Sequence, residues 1–415
     1  MKHSLYPRFF PQSLALLLIL LINLPLAGQT TFRDSILHDG IYRQYLARIP
    51  ATYTSNQPHE LVFVLHGGGG SANLMFAMTR FDQVADTAGF ILVFPQGVFT
   101  GVDGRGRAGH HWADGRTTTL PDVNGIDDVG FISNLMDTLS AAYNIDPNRV
   151  YAAGASNGGY MTQLLACELS DRLAAVATVA ATFPDSLLPN CTNVTPTSIL
   201  IMNGTQDQLV PTYTGGMASG TGGWVLSTDE MINIWRNNNG CDTVFHTFEI
   251  RDTFTLDNST VTKYVYPNCQ NSTEIVHYKI FGGGHAWPGQ QFGGTFTGNS
   301  NKDINANLEI WHFFNAHTKS VTTSTAEIGI KESLNVYPNP FEREIHVAGI
   351  DHQSIHHIEI IDLFGKTVWQ AKDFSHQAQS ITLQSDFLKT GIYFLKIQTR
   401  GETILKKIVK NTSTQ

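Results

Sequence analysis

Val150-Tyr151-Ala152-Ala153-Gly154-Ala155-Ser156-Asn157-Gly158-Gly159-Tyr160 decides how the rest of this chain is read. Apolar residues form a short strand, a cramped turn carries a serine, and a helix opens on two glycines. Gly154-Ala155-Ser156-Asn157-Gly158 has the spacing G-x-S-x-G, in which small flanking residues permit a sharp strand-to-helix turn. Such a turn lifts the serine oxygen above the sheet and aims the free N–H groups of the new helix at a neighbouring oxygen. Taken alone, the pentapeptide is better explained by an ordinary turn with a capping serine. The sequence on either side has to decide.

Upstream, Ile41–Ile49 alternates at period two and reads as a strand, while Leu61–Leu65 and Ile91–Phe94 are solid apolar runs, the mark of strands buried on both faces. Helical spacing runs over Asn73–Ala88 and Asp127–Tyr143. Downstream of the elbow, Met161–Leu169 continues its helix, Ala174–Ala181, Ser198–Met202 and Ile275–Phe281 read as strands, and Met231–Asn237 and Leu308–His317 as helices. Strands alternating with helices predict an α/β fold with a mostly parallel central sheet covered on both faces. In such sheets ligands bind beyond the carboxyl ends of the strands.

Three polar residues fall where that rule puts a site. Ser156 follows Val150–Ala153, Asp207 follows Ser198–Met202, and His285 follows Ile275–Phe281. A serine hydroxyl is protonated at neutral pH, so a histidine must take its proton and a buried carboxylate must fix the imidazole's tautomer. Asp207 is the only carboxylate of its loop, although an Asx turn would also place one there. His285 competes with fifteen other histidines. Of its nearest rivals, His277 sits inside the predicted strand and His246 precedes it. The order Ser, Asp, His is that of the α/β-hydrolases.

His66-Gly67-Gly68-Gly69-Gly70 follows an early buried strand. No Gly-Lys-Ser/Thr completes a phosphate loop, and the run matches an HGGG-type oxyanion segment, whose missing side chains let backbone N–H groups approach an acyl oxygen. Gly67, Gly68 and Asn157 are the candidate donors. The long glycine-rich stretch Gly101–Gly125 holds His110-His111-Trp112. Adjacent histidines rarely chelate one ion, so a substrate-facing rim carrying Trp112 is the expectation, with Trp287 beside His285 as a second substrate contact. Core packing is the competing account for both indoles, as for Trp224.

At 415 residues the chain exceeds what one core usually serves. A net charge of −8 without any basic run argues against a nucleic-acid partner. Lys2 and Arg8, an apolar run from Leu14 to Leu26, and Ala27-Gly28 have the parts of a secretory signal peptide over residues 1–28. No second long apolar run follows, so no stable membrane insertion is expected. Four cysteines in an oxidising compartment imply disulfides, and four allow three pairings. No C-x-x-C spacing suggests zinc.

Residues from about Asp39 to His317 resemble the esterase family that holds secreted feruloyl and acetylxylan esterases and related poly(3-hydroxybutyrate) depolymerases. The resemblance rests on Leu65-His66-Gly67-Gly68-Gly69, Asp127–Ile132, Asp146-Pro147-Asn148-Arg149-Val150-Tyr151, Gly154, Ser156–Gly159, Ala166-Cys167, Asn203-Gly204-Thr205, Asp207, Val210-Pro211, Gly283-Gly284-His285 and Trp287-Pro288-Gly289. It implies an α/β-hydrolase with Ser156, Asp207 and His285 as nucleophile, acid and base, no metal or cofactor, and the pairs Cys167–Cys191 and Cys241–Cys269. One departure is Gly68, where many relatives carry cysteine.

After a Ser/Thr-rich linker over 318–332, residues 333–415 turn to β alternation and read as a small all-β sandwich. Val336–Phe341, Asp362–Lys366, Gly391-Ile392-Tyr393 and Lys406–Lys410 resemble the C-terminal sorting domain of type IX secretion. That implies a partnership with the secretion machinery, outer-membrane export and release or retention at the cell surface. The expected whole is a leader (1–28), an esterase domain (29–317), the linker and the sorting domain. Its expected substrates are feruloyl or acetyl esters of polysaccharides such as xylan, with a polyester as the second choice. A non-catalytic binding protein on the same scaffold is the contrasting reading.

Overall fold

A strand that is apolar on both sides needs a helical layer on each face, and the ten-stranded sheet of this protein supplies them. The computed structural model describes residues 29–102, 108–192, 194–219, 222–290, 298–319, 335–348, 355–362, 367–372, 380–385, 387–399 and 403–411. The leader, the linker from residue 320 onward and the sorting-domain segment Leu363–Lys366 lie outside them. The chain divides into two compact units, 1–320 and 321–415.

The strands of the first unit are β1 (Thr30–His38), β2 (Ile41–Ile49), β3 (His59–Leu65), β4 (Ile91–Pro95), β5 (Val98–Val102), β6 (Ala108–His111) and β7 (Ile145–Ala155). They continue as β8 (Ala175–Val179), β9 (Ser198–Gly204), β10 (Gly216–Met217), β11 (Trp224–Val225), β12 (His246–Ile250), β13 (Thr260–Tyr266) and β14 (Ile275–Phe281). Its helices are α1 (Ala72–Thr79), α2 (Asp82–Ala88), α3 (Leu120–Val123), α4 (Asp128–Ala142), α5 (Asn157–Glu168), α6 (Thr228–Asn239) and α7 (Ala306–Ala316). The main sheet has the order β1-β2-β4-β3-β7-β8-β9-β14-β13-β12. Its six central strands, β4 to β14, are parallel, and antiparallel pairs close both edges. This is the α/β-hydrolase architecture.

In β3, Leu61, Phe63 and Leu65 join a core shared with Phe131, Leu135, Met161 and Trp235 of α4, α5 and α6. Val62 and Val64 join the opposite core with Met75, Ala85, Ile310 and Phe314 of α1, α2 and α7. The period-two alternation therefore feeds two layers from one strand. Each such side chain, once buried, contributes roughly 1.5–3 kcal/mol relative to exposure.

Two sequence expectations need correction, and three strands carry no expectation at all. The helix expected over Asn73–Ala88 is two helices, because Arg80 adopts a left-handed conformation (φ 51°) and ends the first. The edge strands β1 and β12 carry no expectation because they are largely exposed and polar, so burial imprints little apolar pattern on them, and β13, the strand next to the edge, is missed although most of its residues are partly or fully buried. The stretch 101–125 is not one long rim. Its start belongs to the β5–β6 hairpin, residues 112–114 are buried, and α3 opens with a capping box of Thr119 and Asp122.

The second unit has two antiparallel sheets. One joins β15 (Asn335–Tyr337), β16 (Glu344–Ala348) and β19 (Ser380–Gln384); the other joins β17 (Ile355–Ile361), β18 (Thr367–Lys372), β20 (Gly391–Thr399) and β21 (Thr403–Lys410). Ile345, Val347, Ile381 and Leu383 of the first meet Ile358, Ile360, Leu395, Ile397 and Ile408 of the second in a single core. This is the small β-sandwich expected.

All four cysteines are paired, Cys167 with Cys191 and Cys241 with Cys269. The first links the last turn of α5 to the segment after β8, and the second ties the end of α6 to the loop between β13 and β14. The Cys167→Ser/Cys191→Ser double variant should unfold with a loss of about 2–4 kcal/mol, read by denaturant titration. An unchanged midpoint would mean that this crosslink constrains nothing the fold needs.

Candidate active site

Ser156 stands at the carboxyl end of β7 with φ 54° and ψ −120°, a backbone conformation that L side chains rarely adopt. The turn is possible because Gly154 and Gly158, two positions to either side, have no side chains. A Cβ on Gly154 would run into the Gly158 carbonyl, and one on Gly158 would strike the carbonyls of Leu65 and His66. The Ser156 amide donates to the Val179 carbonyl (3.0 Å), which ties the elbow to the end of β8.

Two strands further along, the loop after β9 carries Asp207, and the loop after the adjacent β14 carries His285. The two loops are stitched together: Thr205 N–H donates to Ile280 O (2.9 Å) and Gln206 N–H to Gly283 O (2.8 Å). Gly204 leaves no room for a Cβ beside Gly283. The result is a hydrogen bond of 2.8 Å from His285 Nδ1 to Asp207 Oδ2, with the carboxylate fully buried. A carboxylate only accepts, so the Nδ1 carries the proton and Nε2 is the free base. Asp207 Oδ1 in turn accepts from the amides of Leu209 (2.8 Å) and Val210 (2.9 Å). Among the described residues no hydrogen bond joins the Ser156 hydroxyl to His285.

The glycine loop after β3 packs on the elbow. A Cβ on Gly67 would lie 3.5 Å from Ser156 Cβ, and one on Gly68 would lie 3.4 Å from Asn157 Cβ. That same Cβ would be 3.0 Å from His111 Cδ2, so the His111 ring occupies the space a larger residue at position 68 would need. The backbone N–H groups of Gly67, Gly68 and Asn157 donate to no protein acceptor among the described residues.

Both indoles expected at the substrate rim are buried instead. Trp112 is fully enclosed, its Nε1 donating to His66 O (2.9 Å) and its backbone N–H to Asn157 Oδ1 (2.9 Å). Trp287 is 4% exposed and donates to Asn307 Oδ1 on α7 (2.9 Å). Each indole N–H finds a partner inside, which removes the usual obstacle to full burial. Trp224, by contrast, is exposed.

Sequence reading missed the polar support beneath the elbow. The Asn157 amide reaches Asp114, which forms a buried ion pair with Arg116 (2.8 Å). The Arg116 guanidinium lies 4.3 Å from the Tyr160 ring centre. Arg43 and Asp128 form a second buried pair, and Asp128 also accepts from Ala113 N–H (2.7 Å). Burial raises the Asp128 pKa against the opposing Arg43 charge. Asp114 and Arg116 lie in the loop between β6 and α3, and Asn157 opens α5, so no periodic signal in the sequence joins the three.

His66 is buried with both ring nitrogens engaged: Nδ1 with Gly67 O (2.9 Å), and Nε2 accepting from Gly97 N–H (3.0 Å). Burial lowers its pKa to about 3. His277, facing the Tyr213 hydroxyl (3.0 Å), is lowered to about 3 by the same cause, aided by Lys279. These pKa values lie below the unfolded value near 6.5, so the unfolded chain binds the extra protons as the pH falls. Stability should therefore drop between pH 6.5 and pH 3, by about 2 kcal/mol per histidine on reaching pH 5. Thermal melts of His277→Gln should show a shallower acid slope than wild type; parallel slopes would refute the assignment.

Residues 49–226 match the phospholipase/carboxylesterase family, and residues 335–411 match the secretion system C-terminal sorting domain. The NocK protein of Nocardia uniformis subsp. tsuyamanensis, which carries an esterase name, is 30% identical over 279 residues, 65% of this chain and 77% of its own length. Feruloyl esterase B of Piromyces equi is 28% identical over 249 residues, 59% of this chain; the match spans only 42% of that relative. An acetyl xylan esterase structure from Aspergillus awamori aligns with 69% of this chain and 99% of its own, at 14% identity and a TM-score of 0.46. No described helix is long and apolar enough to cross a membrane. The sorting domain directs the protein through type IX secretion to the cell surface or beyond, and the chain belongs to the phospholipase/carboxylesterase family of α/β-hydrolases, as a carboxylic ester hydrolase.

Proposed function

We propose that Ser156, His285 and Asp207 hydrolyse feruloyl or acetyl esters on plant polysaccharides such as xylan. The observation that carries this reading is the buried Asp207–His285 hydrogen bond at the carboxyl ends of β9 and β14, in the same sheet whose β7 ends in the serine elbow. The feruloyl esterase relative supports the feruloyl group as the acyl part.

In the first half-reaction the Ser156 hydroxyl attacks the ester carbon while His285 Nε2 takes its proton. Asp207 holds Nδ1–H and steadies the imidazolium. The carbonyl oxygen becomes an oxyanion facing the backbone N–H of Asn157 and those of Gly67 and Gly68, each useful donor contributing roughly 10²–10³ in rate. The C–O bond of the leaving alcohol then breaks, and His285 returns the proton to that oxygen. In the second half, His285 takes a proton from water as that water attacks the acyl carbon; the bond from the acyl carbon to Ser156 Oγ then breaks, and His285 returns the proton to Oγ, freeing the acid and restoring the Ser156 hydroxyl. Among the described residues the Ser156 hydroxyl makes no hydrogen bond to His285, and catalytic contacts of this kind commonly tighten when substrate docks.

The paired backbone amides on Asp207 Oδ1 hold the carboxylate in place beneath His285. The buried network under Asn157 fixes the amide that faces the oxyanion, which is the preorganisation that makes such donors effective.

Ser156→Ala should cut turnover of p-nitrophenyl acetate by roughly 10⁴-fold or more, and His285→Ala similarly, with melting temperature retained. Retained activity in Ser156→Ala would reject the mechanism, and an inert wild type would favour a binding protein on this scaffold. Side-by-side kinetics on methyl ferulate, acetylated xylan and poly(3-hydroxybutyrate) test the substrate class. A preference for the polyester would overturn it.

A further inference from the structure

Beside the glycine loop, on the β2–β4 side of the sheet, a groove of about 560 Å³ opens between β2, the β5–β6 hairpin and α3. That volume lies within the range of ~300–1,000 Å³ typical of ligand sites. Its rim is formed by large apolar side chains left in water: Tyr42 is 74% exposed, Phe99 63% and Leu120 53%. Exposed aromatics on a folded monomer carry information only when clustered, and here they share one concavity.

The polar groups of the groove narrow the choice of ligand. Gln44 and Asn124 line it, both exposed, and their side-chain amides make no protein hydrogen bond among the described residues. Arg43 also borders the groove, but its charge is consumed by Asp128. With that charge neutralised, an anionic ligand gains little. Planar aromatic faces next to unpaired amides suit a molecule that is apolar on its ring faces and rich in hydroxyls at its edges. A sugar ring has that surface; a plain apolar chain would leave the amides unused.

The groove is joined to the candidate site by one residue. His110 lines it, accepts Gly69 N–H at its carbonyl (3.0 Å), and donates its own N–H to Gly70 O (3.3 Å). It thus bonds the same loop whose Gly67 packs on Ser156. Phe99 meets the His110 ring edge-on at 5.5 Å. A polymer whose ester sits at Ser156 can extend across the glycine loop into this groove.

We infer that this groove is a subsite for the neutral polysaccharide chain of the substrate, with Tyr42 and Phe99 as stacking platforms and Gln44 and Asn124 as hydroxyl partners. The inference rests on the substrate reading proposed above. Binding a remote sugar raises kcat/KM on polymer without touching the chemistry, so small esters should not sense it.

The test uses the full chain carrying Phe99→Ala or Tyr42→Ala, both exposed positions whose truncation leaves the core intact. On feruloylated or acetylated arabinoxylan, kcat/KM should fall about tenfold, the loss expected from one stacking contact, while methyl ferulate turnover stays within about twofold. Retardation of the Ser156→Ala protein in gels containing de-esterified arabinoxylan should weaken when Phe99→Ala is added. Wild type active on xylan esters with both variants unimpaired, or equal losses on polymer and methyl ferulate, would overturn the subsite. Wild type inactive on esterified xylan but active on methyl ferulate would overturn the polysaccharide reading, and the groove's assignment with it.

Discussion

The structure turns on the contact between the backbone of Gly158 and the end of β3. A side chain at Gly158 would collide with the carbonyls of Leu65 and His66. Because nothing larger than hydrogen fits, helix α5 starts directly against the strand that carries the glycine loop. The same approach sets Ser156 in its left-handed backbone and lays Gly67 alongside it. Strain of this kind costs of order 1–3 kcal/mol and persists only where surrounding packing over-determines it. Here β3 and β7 are central strands whose apolar residues are buried on both faces, and they supply that packing.

Held in this way, the elbow still needs its first helical residue fixed. Asn157 is fixed by Trp112, whose indole also holds the His66 carbonyl, and by the Asp114–Arg116 pair. Replacing a buried ion pair with apolar groups is often neutral or stabilising, so such pairs say little about stability. What this one does is geometric. It connects a loop from the β5–β6 side to α5, and through the Arg116 bond to Gly222 O (2.9 Å) to the segment before β11. Three stretches far apart in sequence thereby meet under a single amide.

The parts legible in the sequence were those in which local chemistry repeats or is unusual. Fully apolar runs such as Leu61–Leu65 and Ser198–Met202 announced central strands, and the G-x-S-x-G and His-Gly-Gly spacings announced close backbone approach. The illegible parts depend on tertiary partners. Nothing local shows that Trp112 will find His66 O, so burial and a substrate rim look alike from sequence. Nor does a polar strand such as β1 show that it will pair at an edge, since half its side chains remain in water. The groove beside Tyr42 and Phe99 was invisible for the same reason: its walls come from β2, a hairpin and α3.

Physics also sorts the histidines. His66 and His277 are each buried and driven far below the ordinary imidazole range, so at neutral pH they are uncharged, and the neighbours they bond leave His66 no spare nitrogen. His38 does meet a carboxylate, Asp127 at 3.2 Å, but that carboxylate is half exposed and already accepts from Gly130 N–H to cap α4. Water there screens the pair and blunts any control of the ring. His285 differs on each count: its carboxylate is fully buried and pinned by two amides, and its Nε2 makes no protein hydrogen bond among the described residues. An imidazole oriented from below and open above is the arrangement that proton transfer requires, and burial alone would have spoiled it.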